Sequence, residues 1–198
     1  MRISIYSFAL WGLIVGCASI SPPLMPVSNA PISSDVETIQ VVVKPIVTKG
    51  IRSEDEKKWG VDLSSYFTSF EVRVINKTNK QIFFNPRQSY LTDEKDLRHA
   101  AFDEKESIRY YIKGDGDLVM TLVPKSNVKI QEETEKILTA QWVESSISPG
   151  NQKEGILLFK KITRDRCQKV TLELNGITVS ETAEEKRFSF AFACDNEG

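Results

Sequence analysis

Apolar and polar residues alternate with a period of two in several short stretches of the chain. In residues 66–76, Phe70, Val72 and Val74 are separated from one another by charged residues. Because successive side chains of a strand point to opposite faces, this stretch predicts a strand with one buried and one solvated face. Further strands are predicted at residues 39–47, 81–85, 155–161, 170–174 and 188–192.

Turn-forming residues lie between these predicted strands. Residues 77–80 read Lys-Thr-Asn-Lys, and Asn175-Gly176 is a dipeptide that favours two-residue hairpins. Many short strands with turn chemistry between them are typical of two packed antiparallel sheets. The sequence therefore predicts a mainly β chain, an immunoglobulin-like antiparallel β-sandwich.

One stretch, residues 127–148, has helical periodicity. Glu132 and Glu133 lie near its start and Pro149-Gly150 follows its end, as helix ends prefer. Helical spacing places one apolar stripe on Ile130, Ile137, Ala140, Val143 and Ile147. We predict one inserted α-helix, with this stripe covering the sandwich.

A second apolar pair lies outside the stripe of the predicted helix. Leu138 and Trp142 are four residues apart and fall on a different side of it. The pair either packs under a neighbouring loop or forms an exposed patch for a partner, in which Trp59 is a further candidate.

Residues 70–78 read Phe-Glu-Val-Arg-Val-Ile-Asn-Lys-Thr, a strand that ends in an Asn-x-Thr turn. Later elements are Tyr-Leu-Thr-Asp at residues 90–93, Pro-Gly at 149–150 and Gly-Ile-Leu-Leu-Phe at 155–159. Together they resemble the telokin-like, immunoglobulin-like extracytoplasmic domains of which the DUF4352 group is an example. The resemblance spans about residues 66–194, and the insertion at about 103–148 departs from the usual pattern. It implies a sandwich used for interaction, with no shared catalytic residues.

The start of the chain has the pattern of a secretory signal. Arg2 supplies a positive charge, and residues 3–16 carry none. As a helix these fourteen residues would span roughly 21 Å, less than the ~30 Å hydrocarbon core of a bilayer. Ile14-Val15-Gly16-Cys17 resembles the lipobox of bacterial lipoproteins, in which a small residue passes through the peptidase site and the cysteine thiol accepts diacylglycerol. We predict a lipoprotein signal peptide at residues 1–16 and lipidation of Cys17.

Lipidation of Cys17 would fix the protein to a membrane of the cell envelope. Two or three acyl chains make the attachment effectively permanent. In the lipoprotein family, a residue such as Ala18 after the cysteine favours transfer to the outer membrane, here with the protein facing the periplasm. The alternative is an ordinary signal peptide that is cleaved near Ala18 or Ala30 and carries Cys17 away.

Proline is concentrated directly after the predicted lipidation site. Residues 17–36 hold half of the eight prolines of the chain, and proline fixes φ and removes a backbone donor. We predict a Pro/Ser-rich, extended tether over residues 17–36 that holds a sandwich domain at 37–198 off the membrane. A disordered tail with no spacing role is the alternative.

Cys167 and Cys194 are the two cysteines that remain if Cys17 is lipidated. An even pair in an exported domain favours a disulfide, which would attach the C-terminal strand to the body of the domain. Two free buried thiols are the alternative. Metal ligation is disfavoured, because zinc takes about four ligands and the chain has a single histidine.

The charge of the chain does not point to a nucleic acid. The formal net charge is −1, from 26 basic and 27 acidic residues, and a nucleic-acid partner would require a basic footprint. No phosphate-binding glycine loop or nucleophile elbow is present in the sequence. We therefore expect no nucleic-acid partner and no cofactor.

His99 is the single histidine on which a triad or dyad would depend. We interpret it as a structural residue, and Gly114-Asp115-Gly116-Asp117 as a turn and not a calcium loop.

The sequence leaves two functions open. The favoured one is a lipid-anchored, non-catalytic interaction or assembly module with an envelope protein as partner. The alternative is an envelope hydrolase or metal-dependent enzyme with an unfamiliar site.

Overall fold

Two antiparallel sheets packed face to face form the body of the protein. The computed structural model describes residues 24–26, 33–36, 38–47, 58–113, 126–163, 167–180 and 184–194. In chain order the elements are β1 (Leu24–Pro26), β2 (Ser33–Val36), β3 (Ile39–Ile46), β4 (Phe67–Asn76), β5 (Ile82–Phe84), β6 (Tyr90–Thr92), β7 (Arg98–Ala100), α1 (Glu104–Lys113), α2 (Asn127–Ala140), β8 (Ser145–Ile147), β9 (Gln152–Lys160), β10 (Lys169–Val179) and β11 (Glu185–Cys194). This confirms the predicted mainly β sandwich with a helical insertion.

The two sheets differ in size. The small sheet has the strand order β2-β3-β4-β9. The large sheet has the order β1-β11-β10-β5-β8, and β6 pairs with both β10 and β7. The long strand β10 therefore pairs with two short strands on one edge, β6 near its start and β5 near its end.

The main core lies between the sheets and follows the predicted alternation. Phe70, Val72 and Val74 of β4 point inward and are fully buried. The ring of Phe70 lies 5.2 Å from that of Phe192 on β11 and 6.0 Å from that of Phe159 on β9, measured between centroids. Burial of such rings supplies most of the stabilisation of a domain of this kind.

A second apolar cluster lies on the outer face of the small sheet, under the helices. Its buried members are Ile46, Val61, Leu63, Phe67, Tyr111, Ile137, Ala140, Ile156 and Leu158. The protein thus has three layers, with the helical insertion packed on one side of the sandwich.

The helical insertion contains two helices, one more than predicted. Asp103 precedes α1 and forms a reciprocal cap: its carboxylate accepts from the amide of Glu106, and its own amide donates to the Glu106 carboxylate. This Asp-x-x-Glu pattern is a helix-start signal that the sequence interpretation missed. The predicted helix at 127–148 is also too long, since α2 ends at Ala140 and β8 follows.

The insertion closes the outer edge of β9. The amide of Phe102 donates to the carbonyl of Leu158 at 2.8 Å, and the amide of Trp142 donates to the carbonyl of Ile156 at 2.9 Å. Backbone groups that would otherwise face solvent on this strand are therefore paired with the chain on either side of the helices.

The predicted hairpin at Asn175-Gly176 is wrong. β10 continues through this dipeptide to Val179, and the register of its pairing with β11 shifts between Leu174 and Ile177. Gly176 has φ +75°, and a Cβ there would lie 2.8 Å from the carbonyl oxygen of Asn85. The glycine thus serves a bulge inside a strand, where both its conformation and the lack of space exclude a side chain.

The folded part begins before the predicted boundary at residue 37. β1 pairs with β11, with Leu24 opposite Cys194, and β2 pairs with β3. The assignment of residues 17–36 entirely to a tether is therefore wrong for the strand residues 24–26 and 33–36. Proline did not prevent strand formation here, because β1 and β2 are terminal strands of their sheets.

Candidate partner-binding groove

The three residues of the predicted partner patch occupy different environments. Trp142 is 2% exposed and belongs to the main core, whereas Leu138 and Trp59 are partly buried. Trp142 is therefore not part of an exposed patch, and that prediction is wrong. Of the alternatives for this residue, packing inside the protein is the one observed.

Trp142 fills the open side of the sandwich next to β9. Its ring packs edge-on against Phe84, with 5.1 Å between centroids, and its indole Nε1 donates to Ser145 Oγ at 3.2 Å. The ring also lies on Gly155, where a Cβ would be 3.1 Å from Trp142 Cβ and Cε3. A glycine at this strand position leaves the space that the indole occupies.

Trp59 remains the aromatic candidate for partner contact. It lies beside α2 and packs against the second apolar cluster. Its indole Nε1 is buried and has no hydrogen-bond partner among the residues that the structure describes. A buried donor without an acceptor is costly in a folded protein.

A groove of about 520 Å³ separates Trp59 from the exposed face of α2. It is lined by Lys58, Trp59, Glu132, Glu135, Lys136, Thr139 and Ala140. Lys136 crosses one end, where its ammonium donates to the carbonyl of Gly60 at 3.1 Å. Gly60 has φ +71°, so the chain turns there in a conformation that favours glycine. We call this feature the Trp59 groove.

Ion pairs connect Lys58, the neighbour of Trp59, to strands β4 and β9 of the small sheet. The Lys58 ammonium lies 2.8 Å from Glu71 and 2.7 Å from Glu154, and Arg73 pairs with Glu154 at 3.2 Å. The same ammonium lies 4.7 Å from the centroid of the Trp59 ring, within the range of a cation–π contact.

These contacts also change the protonation of the groups involved. Burial disfavours the charged form of Lys58, but its hydrogen bonds to Glu154 and Glu71 outweigh this and raise its pKa. The hydrogen bond from Lys58 holds the pKa of Glu154 below its ordinary value. Lys58 and Glu154 therefore stay charged at neutral pH, and the ion pair between them is kept.

The chemistry of the Trp59 groove is suited to binding a polypeptide segment. An aromatic ring and the Thr139 and Ala140 side chains offer apolar contact. Lys136 and the carboxylates of Glu132 and Glu135 offer both signs of charge along the rim. Interfaces of this kind combine an aromatic anchor with a charged, solvated rim.

His99 lies in a loop with a defined structural role. Its Nε2 is 3.2 Å from Asp93 Oδ2, and the other carboxylate oxygen of Asp93 accepts from the amides of Lys95 and Leu97. Although burial opposes it, these hydrogen bonds lower the pKa of Asp93. The pair thus fixes the turn between β6 and β7.

A buried lysine, Lys161, lies directly after β9 and was missed by the sequence interpretation. It is 7% exposed, and its ammonium donates to the carbonyl of Ser65 at 2.8 Å. Burial lowers its pKa to about 8, although the carboxylate of Asp62 acts in the opposite direction. Nothing in the local sequence distinguishes it from Lys160 beside it, which is only partly buried.

The stability of the protein should therefore rise with pH through the titration of Lys161. The pKa is lower in the folded state than the ordinary value of 10.5, so the unfolded chain binds more protons between about pH 8 and 10.5. Relative to Lys161→Met, the wild-type free energy of unfolding should increase by about 1 to 2 kcal/mol between pH 7 and 9.5. Urea unfolding at both pH values measures this, with Lys160→Met as the control. An unchanged difference between wild type and Lys161→Met would contradict it.

Cys167 and Cys194 lie at disulfide-bonding distance, with their Cα atoms 5.6 Å apart. Both are buried, and the amide of Cys194 donates to the carbonyl of Gln168. This geometry fits the predicted disulfide between Cys167 and Cys194, which joins the start of β10 to the end of β11.

Several predicted features lie outside the described residues. These are the signal peptide at residues 1–16, the lipidation site Cys17 and the Asp115-Gly116-Asp117 turn. Within the described ranges, no group of three or more His, Cys, Asp and Glu side chains is arranged to hold a metal ion. In the same part of the chain, no helix has both the length and the apolar character needed to cross a membrane.

Comparison with known proteins identifies similar structures but no family. No protein-family model and no curated protein matches the chain. The crystal structure of the yjhA protein from Bacillus subtilis aligns with 83% of this chain and 97% of its own, at 14% identity and a TM-score of 0.45. A functionally unknown protein from Listeria monocytogenes EGD-e aligns with 89% of this chain and 90% of its own, at 10% identity and a TM-score of 0.41. Neither similarity bears on activity or partners.

Proposed function

We propose that this protein is a lipoprotein of the cell envelope, attached through Cys17 to the outer membrane and facing the periplasm, that acts as a non-catalytic interaction module. The observation that carries the proposal is Ile14-Val15-Gly16-Cys17 at the end of an uncharged stretch. The resemblance of residues 70–78 and later motifs to telokin-like extracytoplasmic domains supports the same assignment.

The cysteine usage of the folded part supports an exported location. Cys167 and Cys194 lie at bonding distance, and stable disulfides are formed in oxidising compartments such as the bacterial periplasm. A lipid anchor on Cys17 would leave no unpaired cysteine, because the chain has three.

The Trp59 groove supports an interaction role. It combines a partly buried tryptophan with a rim that carries both signs of charge. The partner that fits it is a segment of another envelope protein. That segment carries an apolar side chain to contact the indole ring and charged residues on either side.

Crosslinking in the native cells tests both parts of the proposal. Thr139→Arg would fill the groove from the exposed face of α2, and arginine is a better helix former than threonine, so the helix should persist. We expect the tagged wild-type protein to be recovered with one envelope protein, and Thr139→Arg to reduce that recovery at least five-fold. Asn127→Arg, at the exposed first residue of α2 and outside the groove lining, is the matched control and should leave recovery unchanged.

The anchor is tested in the same cells with Cys17→Ala. Wild type should carry an acyl mass on Cys17 by mass spectrometry and sediment with membranes, whereas the variant should be soluble after fractionation. Absence of the acyl mass would overturn the lipoprotein assignment. Equal recovery of partner with Thr139→Arg and with wild type would overturn the role of the groove.

A further inference from the structure

The first strand of the fold lies close in sequence to the proposed lipid anchor. Leu24 is the first residue of β1, seven positions after Cys17, and it pairs with Cys194 at the end of β11. Seven residues can span at most about 25 Å, whatever their conformation. A lipid on Cys17 would therefore keep Leu24 within that distance of the membrane surface.

The pairing of β1 specifies which end of the sandwich this is. Cys194 ends β11 and Cys167 precedes β10, so both lie at the same end as Leu24. The loop between β6 and β7 is also there, because Glu94 accepts from the amide of Gln168 at 2.9 Å. We call this the disulfide end.

The disulfide end presents apolar side chains to solvent. Met25 is 55% exposed and Leu97 is 47% exposed, two of the six large apolar side chains that are exposed among the described residues. Lys95 and Asp96 precede Leu97, Lys169 lies across Ala193 from Met25, and all three charged residues are exposed. Apolar side chains next to lysines are suited to the headgroup region of a bilayer.

We propose that the disulfide end is the membrane-facing surface of the protein, in contact with the headgroups of the membrane that holds the anchor. The proposal rests on the lipidation of Cys17 put forward above. It replaces the long spacer expected for residues 17–36 by a short connection, so that the sandwich stands directly on the bilayer.

The length of the strands excludes the inverted orientation. β4 and β11 have ten residues each, which corresponds to about 30 Å from one end of the sandwich to the other. The turn at residues 77–80 follows β4 at the far end. If that turn touched the membrane with the sandwich upright, Leu24 would be about 30 Å away, beyond the reach of seven residues.

Site-specific photocrosslinking to lipid tests the orientation in the full-length, acylated protein. A benzoylphenylalanine is placed at Met25, at Leu97 or, as the control at the far end, at Asn79, which is also exposed. Each variant is reconstituted in vesicles of phosphatidylethanolamine and phosphatidylglycerol that contain a radiolabelled lipid. We expect at least five-fold more lipid label at Met25 and Leu97 than at Asn79.

A second variant tests whether the short connection between Cys17 and Leu24 causes the difference in lipid labelling. Insertion of about 20 Gly and Ser residues between Ser19 and Leu24 adds a root-mean-square reach of about 25 Å and should bring the three labelling levels within two-fold. Equal labelling without the insertion, or stronger labelling at Asn79, would overturn the orientation. The acyl mass on Cys17, measured on the same samples, separates that result from a failure of the lipoprotein proposal.

Discussion

Replacing Trp142 with alanine should lower the free energy of unfolding by about 3 to 5 kcal/mol. The indole is almost completely buried, packs against Phe84 and fills the space above Gly155. Its loss leaves a cavity between the sheets and deprives Ser145 of its indole donor. Urea unfolding followed by circular dichroism measures the change. Trp142→Phe, which keeps an aromatic ring, should cost less than half as much.

The contact between Trp142 and Gly155 can be measured by a double-mutant cycle. Gly155→Ala alone should destabilise the protein by about 1 to 3 kcal/mol, because the new methyl group would overlap the indole. In the Trp142→Ala background the same substitution should cost less, since the contact with Cε3 is removed and residue 142, whose Cα and Cβ remain, has room to shift. Additive effects of the two substitutions would show that the indole is not the reason why residue 155 has to be a glycine.

Removal of the Cys167–Cys194 link should produce the second large effect. Replacing both cysteines with serine should lower the free energy of unfolding by about 3 to 4 kcal/mol, as expected for a closed loop of about 28 residues. The link joins the end of β11 to the start of β10. Denaturant unfolding of the double variant against oxidised wild type measures this.

A reducing agent provides the control for the disulfide prediction. It should destabilise the wild-type protein by a similar amount and leave the double serine variant unchanged. Equal stability of oxidised and reduced wild type would mean that the two thiols are not bonded in solution. The orientation proposed for the disulfide end does not depend on this outcome, because it follows from the pairing of Leu24 with Cys194.

Strands whose residues alternate between core and solvent could be predicted from the sequence. β11 follows its alternation closely, and β4 does so from Val72 onward, since there one face lies in the main core and the other is more exposed. The first residues of β4 are buried on both faces, because the second apolar cluster covers the outer one. The hairpin at Asn175-Gly176 could not be predicted correctly, because a left-handed glycine serves a bulge as well as a turn. The bulge is distinguished from a turn only by strand pairing, because β10 continues past Gly176 and pairs with β6 before the glycine and with β5 after it.

The candidate site was predictable in part. The sequence named Trp59 as a candidate for partner contact. It could not predict the groove, which depends on the position of α2 and on the ion pairs of Lys58 with residues of β4 and β9. Helical spacing misassigned Trp142, because α2 ends at Ala140 and the next residues run alongside β9. Such a change from helix to extended chain leaves little trace in periodicity.

The closure of β9 by the helical insertion determines how a partner can bind. An open strand edge can recruit a foreign strand through backbone hydrogen bonds, a mode that accepts many sequences and favours aggregation. Here Phe102 and Trp142 already occupy carbonyls on that edge. The protein is thereby protected from strand exchange along this part of β9, and recognition on this side is left to side chains.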